Sequence, residues 1–120
     1  VAAGCPSPRR IRARLPVPTT LPLRGDPLGV FESPRFESRT FPIASGDRLF
    51  LNTDGLVRVQ RRDPSTGRTM CIREDALDDL ISGISNEPLD GVVGRIWDFV
   101  LDFCDDKPDD DMLLVGIEIP

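Results

Sequence analysis

Two apolar runs, one in the middle of the chain and one near its end, each meet aspartate residues. Residues 49–56 read Leu-Phe-Leu-Asn-Thr-Asp-Gly-Leu, so the first run leads to Asp54 and then to Gly55. Residues 109–115 read Asp-Asp-Asp-Met-Leu-Leu-Val, so three aspartates lead into the second run. Short apolar runs of this kind are typical of buried strands. Two such strands side by side would hold their carboxylates close enough to share a hard divalent cation.

Each part of this pattern also has a purely structural interpretation. Asp-Gly is one of the commonest turn dipeptides, although a glycine such as Gly55 also lets the chain turn sharply and lets a metal or a phosphate approach. The aspartates at 109–111, with those at 102, 105 and 106, could form a solvated acidic loop. Adjacent carboxylates repel one another unless a cation neutralises them. Their spacing does not fit a calcium-binding EF-hand loop.

The cysteine and apolar content limits the class of protein. Cys5, Cys71 and Cys104 are widely spaced without a CxxC pair, and the chain has no histidine. A structural zinc site is therefore not expected. We expect free thiols in a reducing cytosol instead. No apolar run reaches membrane-spanning length, and the start lacks the features of a signal peptide. We expect a cytoplasmic protein, and the lack of an initiator methionine indicates a fragment or a processed chain.

Charge is divided unevenly along the sequence. Residues 1–62 hold 11 arginines and 5 acidic residues, whereas residues 63–120 hold 4 basic and 15 acidic residues. One interpretation is that two halves of one fold attract each other. The other is a basic surface for nucleic acid, but the arginines are scattered and no set of aromatic residues lies between them. We therefore expect no nucleic-acid partner.

The first half of the chain favours strands. Its early prolines exclude a continuous helix, which leaves either a disordered leader or edge strands, with extended pieces around 9–15 and 19–23. Residues 36–43 and 48–53 are predicted to form an antiparallel pair of strands, joined by a tight turn over 44–47.

The second half favours helices followed by a strand. Residues 63–67 have strong turn chemistry. Apolar residues recur at helical spacing over 73–84, and again after Pro88 as far as residue 103. Residues 112–119 are predicted to form the final strand. The expected fold class is α+β, with antiparallel strands and two helices packed on one face.

In this order, the segments resemble the C-terminal half of a metal-dependent protein serine/threonine phosphatase of the type 2C class. The branch is the bacterial one typified by the stage II sporulation protein E. Residues 46–56 match the family's Gly-Asp…Thr-Asp-Gly segment, which is the most specific of all. Residues 27–30 match a Pro-Leu-Gly-hydrophobic segment, 109–115 match Asp-Asp-x-Thr with its strand, and 3–6 match Ala-Gly-His-Pro.

The sequence departs from the family pattern at three points. Cys5 replaces the histidine of Ala-Gly-His-Pro, and Met112 replaces the usual threonine. The family's earlier Gly-Asp-x-x-Gly-His-Gly segment, whose aspartate bridges two metals, is missing. The resemblance therefore implies that residues 1–120 are the C-terminal portion of a single phosphatase-like domain, a partial αββα sandwich without its upstream half.

The resemblance also implies a mechanism. Asp54 and Asp109 would bind one of two Mn²⁺ or Mg²⁺ ions, which would activate a water for in-line attack on phosphoserine or phosphothreonine. Gly55 and Asp110 would lie around these ligands, with Asp110 orienting a water or a ligand. The substrate would be a phosphorylated regulatory protein, such as an anti-sigma-factor antagonist.

Other interpretations remain open from the sequence. The two-metal centre is incomplete in this chain, so the chain alone is expected to be inactive, and exposed apolar surface would favour self-association. Cys5 and Met112 favour an alternative, a non-catalytic phosphatase-like module that binds a partner. A third possibility is an unrelated acidic α+β domain that matches short motifs by chance.

Overall fold

The computed structural model describes residues 5–105 and 107–120, and these residues form six strands and three helices. Residues 3 and 4 of the predicted family segment, and Asp106 of the acidic run, lie outside the described residues. The elements in chain order are β1 (Arg9–Arg12), β2 (Leu15–Thr20), β3 (Arg48–Asn52), α1 (Asp54–Val57), β4 (Gln60–Arg62), β5 (Thr69–Cys71), α2 (Glu74–Gly83), α3 (Leu89–Phe103) and β6 (Leu114–Glu118).

The main sheet has four strands in the order β2-β1-β3-β6, and every neighbouring pair is antiparallel. β4 and β5 form a separate two-stranded hairpin. Helices α2 and α3 bury apolar side chains in one hydrophobic core, which also contains Phe50 of β3. The α+β class predicted from the sequence is confirmed.

The proline-rich start of the chain is a hairpin and not a disordered leader. β1 and β2 pair with an irregularity between Arg10 and Arg12. Pro16 and Pro18 lie on β2, which is an edge strand of the sheet. An edge strand tolerates proline because its outward N–H groups are not needed by a neighbouring strand.

The predicted strand over 36–43 is wrong. Only Phe36 of this segment pairs, in an isolated bridge with Gly25, and β3 pairs with β1 and β6 instead. Pro42 cannot donate to a ladder, and its carbonyl oxygen instead accepts a hydrogen bond of 2.8 Å from Arg10 Nη1. The tight turn is present, since the Asp47 N–H donates to the Ala44 carbonyl at 3.0 Å.

The long helices begin and end close to the predicted positions. Helix α3 follows Pro88, whose carbonyl accepts a hydrogen bond from the Val92 N–H at 3.0 Å. The helix lies close to β6, because a Cβ on Gly116 would meet Val93 Cγ2 at 2.8 Å. Among the described residues, no helix combines the length and the apolar character needed to cross a bilayer.

On β3 and β6, one face of the main sheet is largely exposed in the described chain. The register pairs Leu49 with Ile117 and Leu51 with Val115, so these four side chains share the face opposite Phe50. The exposed fractions are 39% for Leu51, 40% for Val115 and 41% for Ile117. We call these four residues the open apolar face. The molecule is accordingly a slab of 47 × 44 × 19 Å.

Candidate functional site

The two apolar runs that meet aspartates are neighbouring strands. β3 and β6 pair antiparallel over five residue pairs, from Arg48 with Glu118 to Asn52 with Leu114. Because the pairing is antiparallel, the end of β3 lies beside the start of β6. Asp54, just after β3, and the aspartates at 109–111, just before β6, therefore belong to the same edge of the sheet.

Thr53 continues the connection beyond the last paired residues. Its N–H donates to the Leu113 carbonyl at 3.1 Å, and its hydroxyl accepts from the Leu113 N–H at 3.0 Å. The same hydroxyl donates to the Asp111 carbonyl at 3.2 Å. These three bonds fix the residue before Asp54 against the loop that carries the other aspartates.

Gly55 is buried and lies directly against that loop. A Cβ at this position would collide with the carbonyl oxygen of Asp111 and would lie 3.4 Å from Asp110 Cβ. Only glycine allows two backbone segments to approach this closely. The sequence analysis expected Gly55 to let a metal or a phosphate approach, whereas in the structure the carbonyl group of Asp111 lies against it.

Asp54 opens the short helix α1, so the Asp-Gly dipeptide starts a helical turn and not a β-turn. Its side chain is 45% exposed, and Oδ2 lies 3.4 Å from Arg58 Nη1 one turn later. The carboxylate lines an open hollow of about 240 Å³ together with Cys5, Glu74 and Arg58. Cys5, which stands where the resembling family has histidine, therefore lies in the same hollow as Asp54.

The three aspartates at 109–111 are all exposed. Asp110 Oδ1 accepts a hydrogen bond of 2.8 Å from the N–H of Asp111, which holds the loop in shape. Of the predicted site residues, the structure brings Gly55 close to Asp110, whose Cβ would lie 3.4 Å from a Cβ on Gly55. Asp54 and Asp109 are their neighbours in the chain.

The carboxylates at this edge suit a hard cation in chemical type, since Mn²⁺ and Mg²⁺ prefer oxygen ligands. No group of three or more Asp, Glu, Cys or His side chains in the described part of the chain is arranged to hold a metal ion. Mg²⁺ requires near-octahedral coordination. A metal site built from the described residues alone would therefore have fewer than three such side chains.

A buried arginine that the sequence did not single out lies behind this edge. Arg9 is only 4% exposed, and its Nε donates to Asp78 Oδ1 of α2 at 2.8 Å. Its Nη1 donates to Asn52 Oδ1 at 3.5 Å, and Nη2 lies 3.8 Å from Glu74 Oε2. Arg9 thus links β1 to α2 and to the end of β3. The β3 residue that it contacts, Asn52, lies two residues before Asp54.

The only signal for Arg9 in the sequence is the division of charge. Arg9 belongs to the basic first half, and Asp78 and Glu74 belong to the acidic second half. A third ion pair of this kind joins Arg48 Nε to Glu118 Oε2 at 2.6 Å. These three pairs join the basic first half to the acidic second half, in line with the interpretation that the two halves attract each other.

A family model described as Stage II sporulation protein E (SpoIIE) matches residues 1–120. No curated protein and no solved structure matches this chain.

Proposed function

Because this chain belongs to the stage II sporulation protein E family, we propose that it is the C-terminal portion of a metal-dependent protein serine/threonine phosphatase domain. The observation that carries the proposal is the antiparallel pairing of β3 with β6. This pairing assigns the Asp54 turn and the aspartates at 109–111 to one edge of the sheet. The substrate we propose is phosphoserine or phosphothreonine on a regulatory protein, such as an anti-sigma-factor antagonist.

In this proposal, Asp54 and Asp109 are the residues of this chain that hold Mn²⁺ or Mg²⁺. The bound ions supply Lewis-acid polarisation of the phosphoryl group and a more acidic water. Asp110 shapes the loop through its bond to the Asp111 N–H. Arg58 lies beside Asp54 with 78% of its side chain exposed, so it can balance the carboxylate charge and move away when a cation binds.

The rest of the ligand set is proposed to come from the upstream half of the domain. The open apolar face supports this, because exposed contiguous apolar surface usually marks an interface. Packing the upstream half on this face would complete a sandwich, with helices α2 and α3 on the outside. The isolated chain is then expected to be inactive.

A second candidate function is a non-catalytic phosphatase-like module that binds a partner protein. Two departures from the family pattern favour it. Cys5 lies in the hollow beside Asp54, where the family often has histidine, and Met112 replaces the usual threonine.

The two candidates differ in Mn²⁺ binding and in phosphatase activity. The test compares this chain with the chain plus its upstream sequence, in assays with a phosphoserine protein substrate and in calorimetric titration with Mn²⁺. For the longer chain we expect Asp54→Asn and Asp109→Asn each to lower Mn²⁺ affinity and phosphatase activity. The loss should exceed the roughly 10–100-fold that results from removing a residue that only orients metal ligands.

The matched control is Asp98→Asn, since Asp98 is an exposed aspartate on α3. It should leave both Mn²⁺ affinity and activity unchanged. A longer chain that folds but neither binds Mn²⁺ nor hydrolyses phosphoserine would favour the non-catalytic module. Full activity in the Asp54 and Asp109 variants would refute the assignment of these ligands.

A further inference from the structure

A second hollow, of about 450 Å³, lies at the opposite end of β3 from Asp54. It is formed by the turn between β1 and β2, the first residue of β3 and the turn after α2. Three arginines line it, together with two polar residues. We call this set the arginine groove, and its members are Arg12, Arg14, Arg48, Ser85 and Asn86.

The three arginines differ in how their charge is used. Arg48 is 15% exposed and pairs with Glu118, which also lines the hollow. Its Nη1 donates to the carbonyls of Ser85 at 2.9 Å and Glu87 at 2.7 Å. These bonds leave Arg48 as a fixed wall of the groove with its charge already balanced.

Arg12 and Arg14 are exposed, and neither forms an ion pair with a described residue. Guanidinium groups bind carboxylates in a planar, two-bond geometry. The groove therefore presents two free sites for anions beside a rigid wall.

We propose that the arginine groove binds an acidic, Asp- and Glu-rich segment of a partner protein. One exposed ion pair contributes little affinity, so a lone small anion would be held weakly. A peptide with several carboxylates can engage Arg12 and Arg14 together, and the second contact is favoured by high effective concentration. The volume of the hollow, about 450 Å³, falls within the usual range of binding pockets.

Nucleic acid fits the groove less well than an acidic peptide. No aromatic side chain lines the hollow, so bases would find nothing on which to stack. The groove also begins at Arg48, at the far end of β3 from Asp54, so peptide binding there does not depend on phosphatase activity.

The test is fluorescence anisotropy with a labelled Glu- and Asp-rich peptide, using the chain together with its upstream sequence. A length-matched peptide with Gln and Asn in place of the acids is the control ligand. We expect the acidic peptide to bind and the neutral one not to bind, with binding weakened by salt. The double variant Arg12→Gln with Arg14→Gln should lose about tenfold or more in affinity.

The control variant is Arg39→Gln, because Arg39 is also exposed but is already paired with Glu37 at 3.1 Å. It should bind the acidic peptide as the unchanged protein does. Circular dichroism melts check that the exposed substitutions leave the fold intact. Equal binding of the neutral peptide, or unchanged affinity in the double variant, overturns the proposal. Tighter binding of a single-stranded oligonucleotide that requires Arg12 and Arg14 also overturns it.

Discussion

At the scale of single residues, Gly55 decides how the candidate site is built. The sequence marked this glycine because a residue without a Cβ allows a close approach. The approach was expected from a metal or a phosphate, because the pairing of β3 with β6, which are more than 60 residues apart, is not visible in the sequence. In the structure the Asp111 backbone fills the space that a side chain would take, with Asp110 Cβ beside it.

Replacing Gly55 with alanine should therefore force these two segments apart. The new Cβ would meet backbone atoms, which cannot rotate away as a flexible side chain can. We expect Gly55→Ala to lower the free energy of unfolding by about 1–3 kcal/mol, the usual cost of overpacking. Urea denaturation of the chain with its upstream sequence measures this change. If Asp54 and Asp109 bind Mn²⁺, the same variant should also weaken that binding.

Gly94→Ala is the matched control for this prediction. Gly94 lies within α3, and a Cβ there would meet nothing within 4 Å. Alanine in place of a helical glycine stabilises by about 0.5–1 kcal/mol. The two variants should thus have opposite signs, and a Gly55→Ala variant as stable as Gly94→Ala would contradict the close approach.

At the scale of elements, prediction succeeded where the determining forces are local. Helices α2 and α3 were predicted to within a few residues, because a 3.6-residue period and Pro88 are properties of the segment itself. The prediction of a strand over 36–43 failed because strand pairing depends on two segments and not on one. β1 lies beside β3 instead, and the Arg10 side chain bonds the Pro42 carbonyl.

Arg9 could not be identified from the sequence for the same reason. Its hydrogen bonds form only when β1, β3 and α2 come together. Replacing Arg9 with methionine retains an apolar stem but removes the hydrogen bonds to Asp78 and Asn52. We expect a loss of about 1.5–3 kcal/mol in the free energy of unfolding, as for hydrogen bonds to charged groups. Arg9→Lys should recover part of it, because lysine keeps the charge but not the planar donor geometry.

Chemical denaturation of both variants measures these losses, and Arg95→Met provides the comparison. Arg95 is 58% exposed and lies 3.6 Å from Glu87, in a surface pair. Such pairs contribute about 0–1 kcal/mol. An Arg9→Met variant no less stable than Arg95→Met would mean that the Arg9 contacts do not hold β1, β3 and α2 together.

At the scale of the whole molecule, the strands next to the candidate site have apolar side chains on both faces. Leu49, Phe50 and Leu51 follow one another without alternation, a pattern typical of strands buried on both sides. The helices cover only the face that carries Phe50. This pattern suits burial on two sides, while the described residues supply a cover for one.

This open apolar face leads to opposite expectations for the chain in two contexts. We expect the chain alone to self-associate with rising concentration in sedimentation velocity, and Leu51→Thr with Ile117→Thr to reduce that association, since threonine suits a strand but is less apolar. Met70→Thr should not reduce it, because Met70 is 38% exposed on β5, outside the main sheet. In the chain with its upstream sequence the face would be buried. The same double variant should there cost about 1–3 kcal/mol of unfolding free energy per site. A double variant without effect in either context would mean that water, and not protein, covers this face.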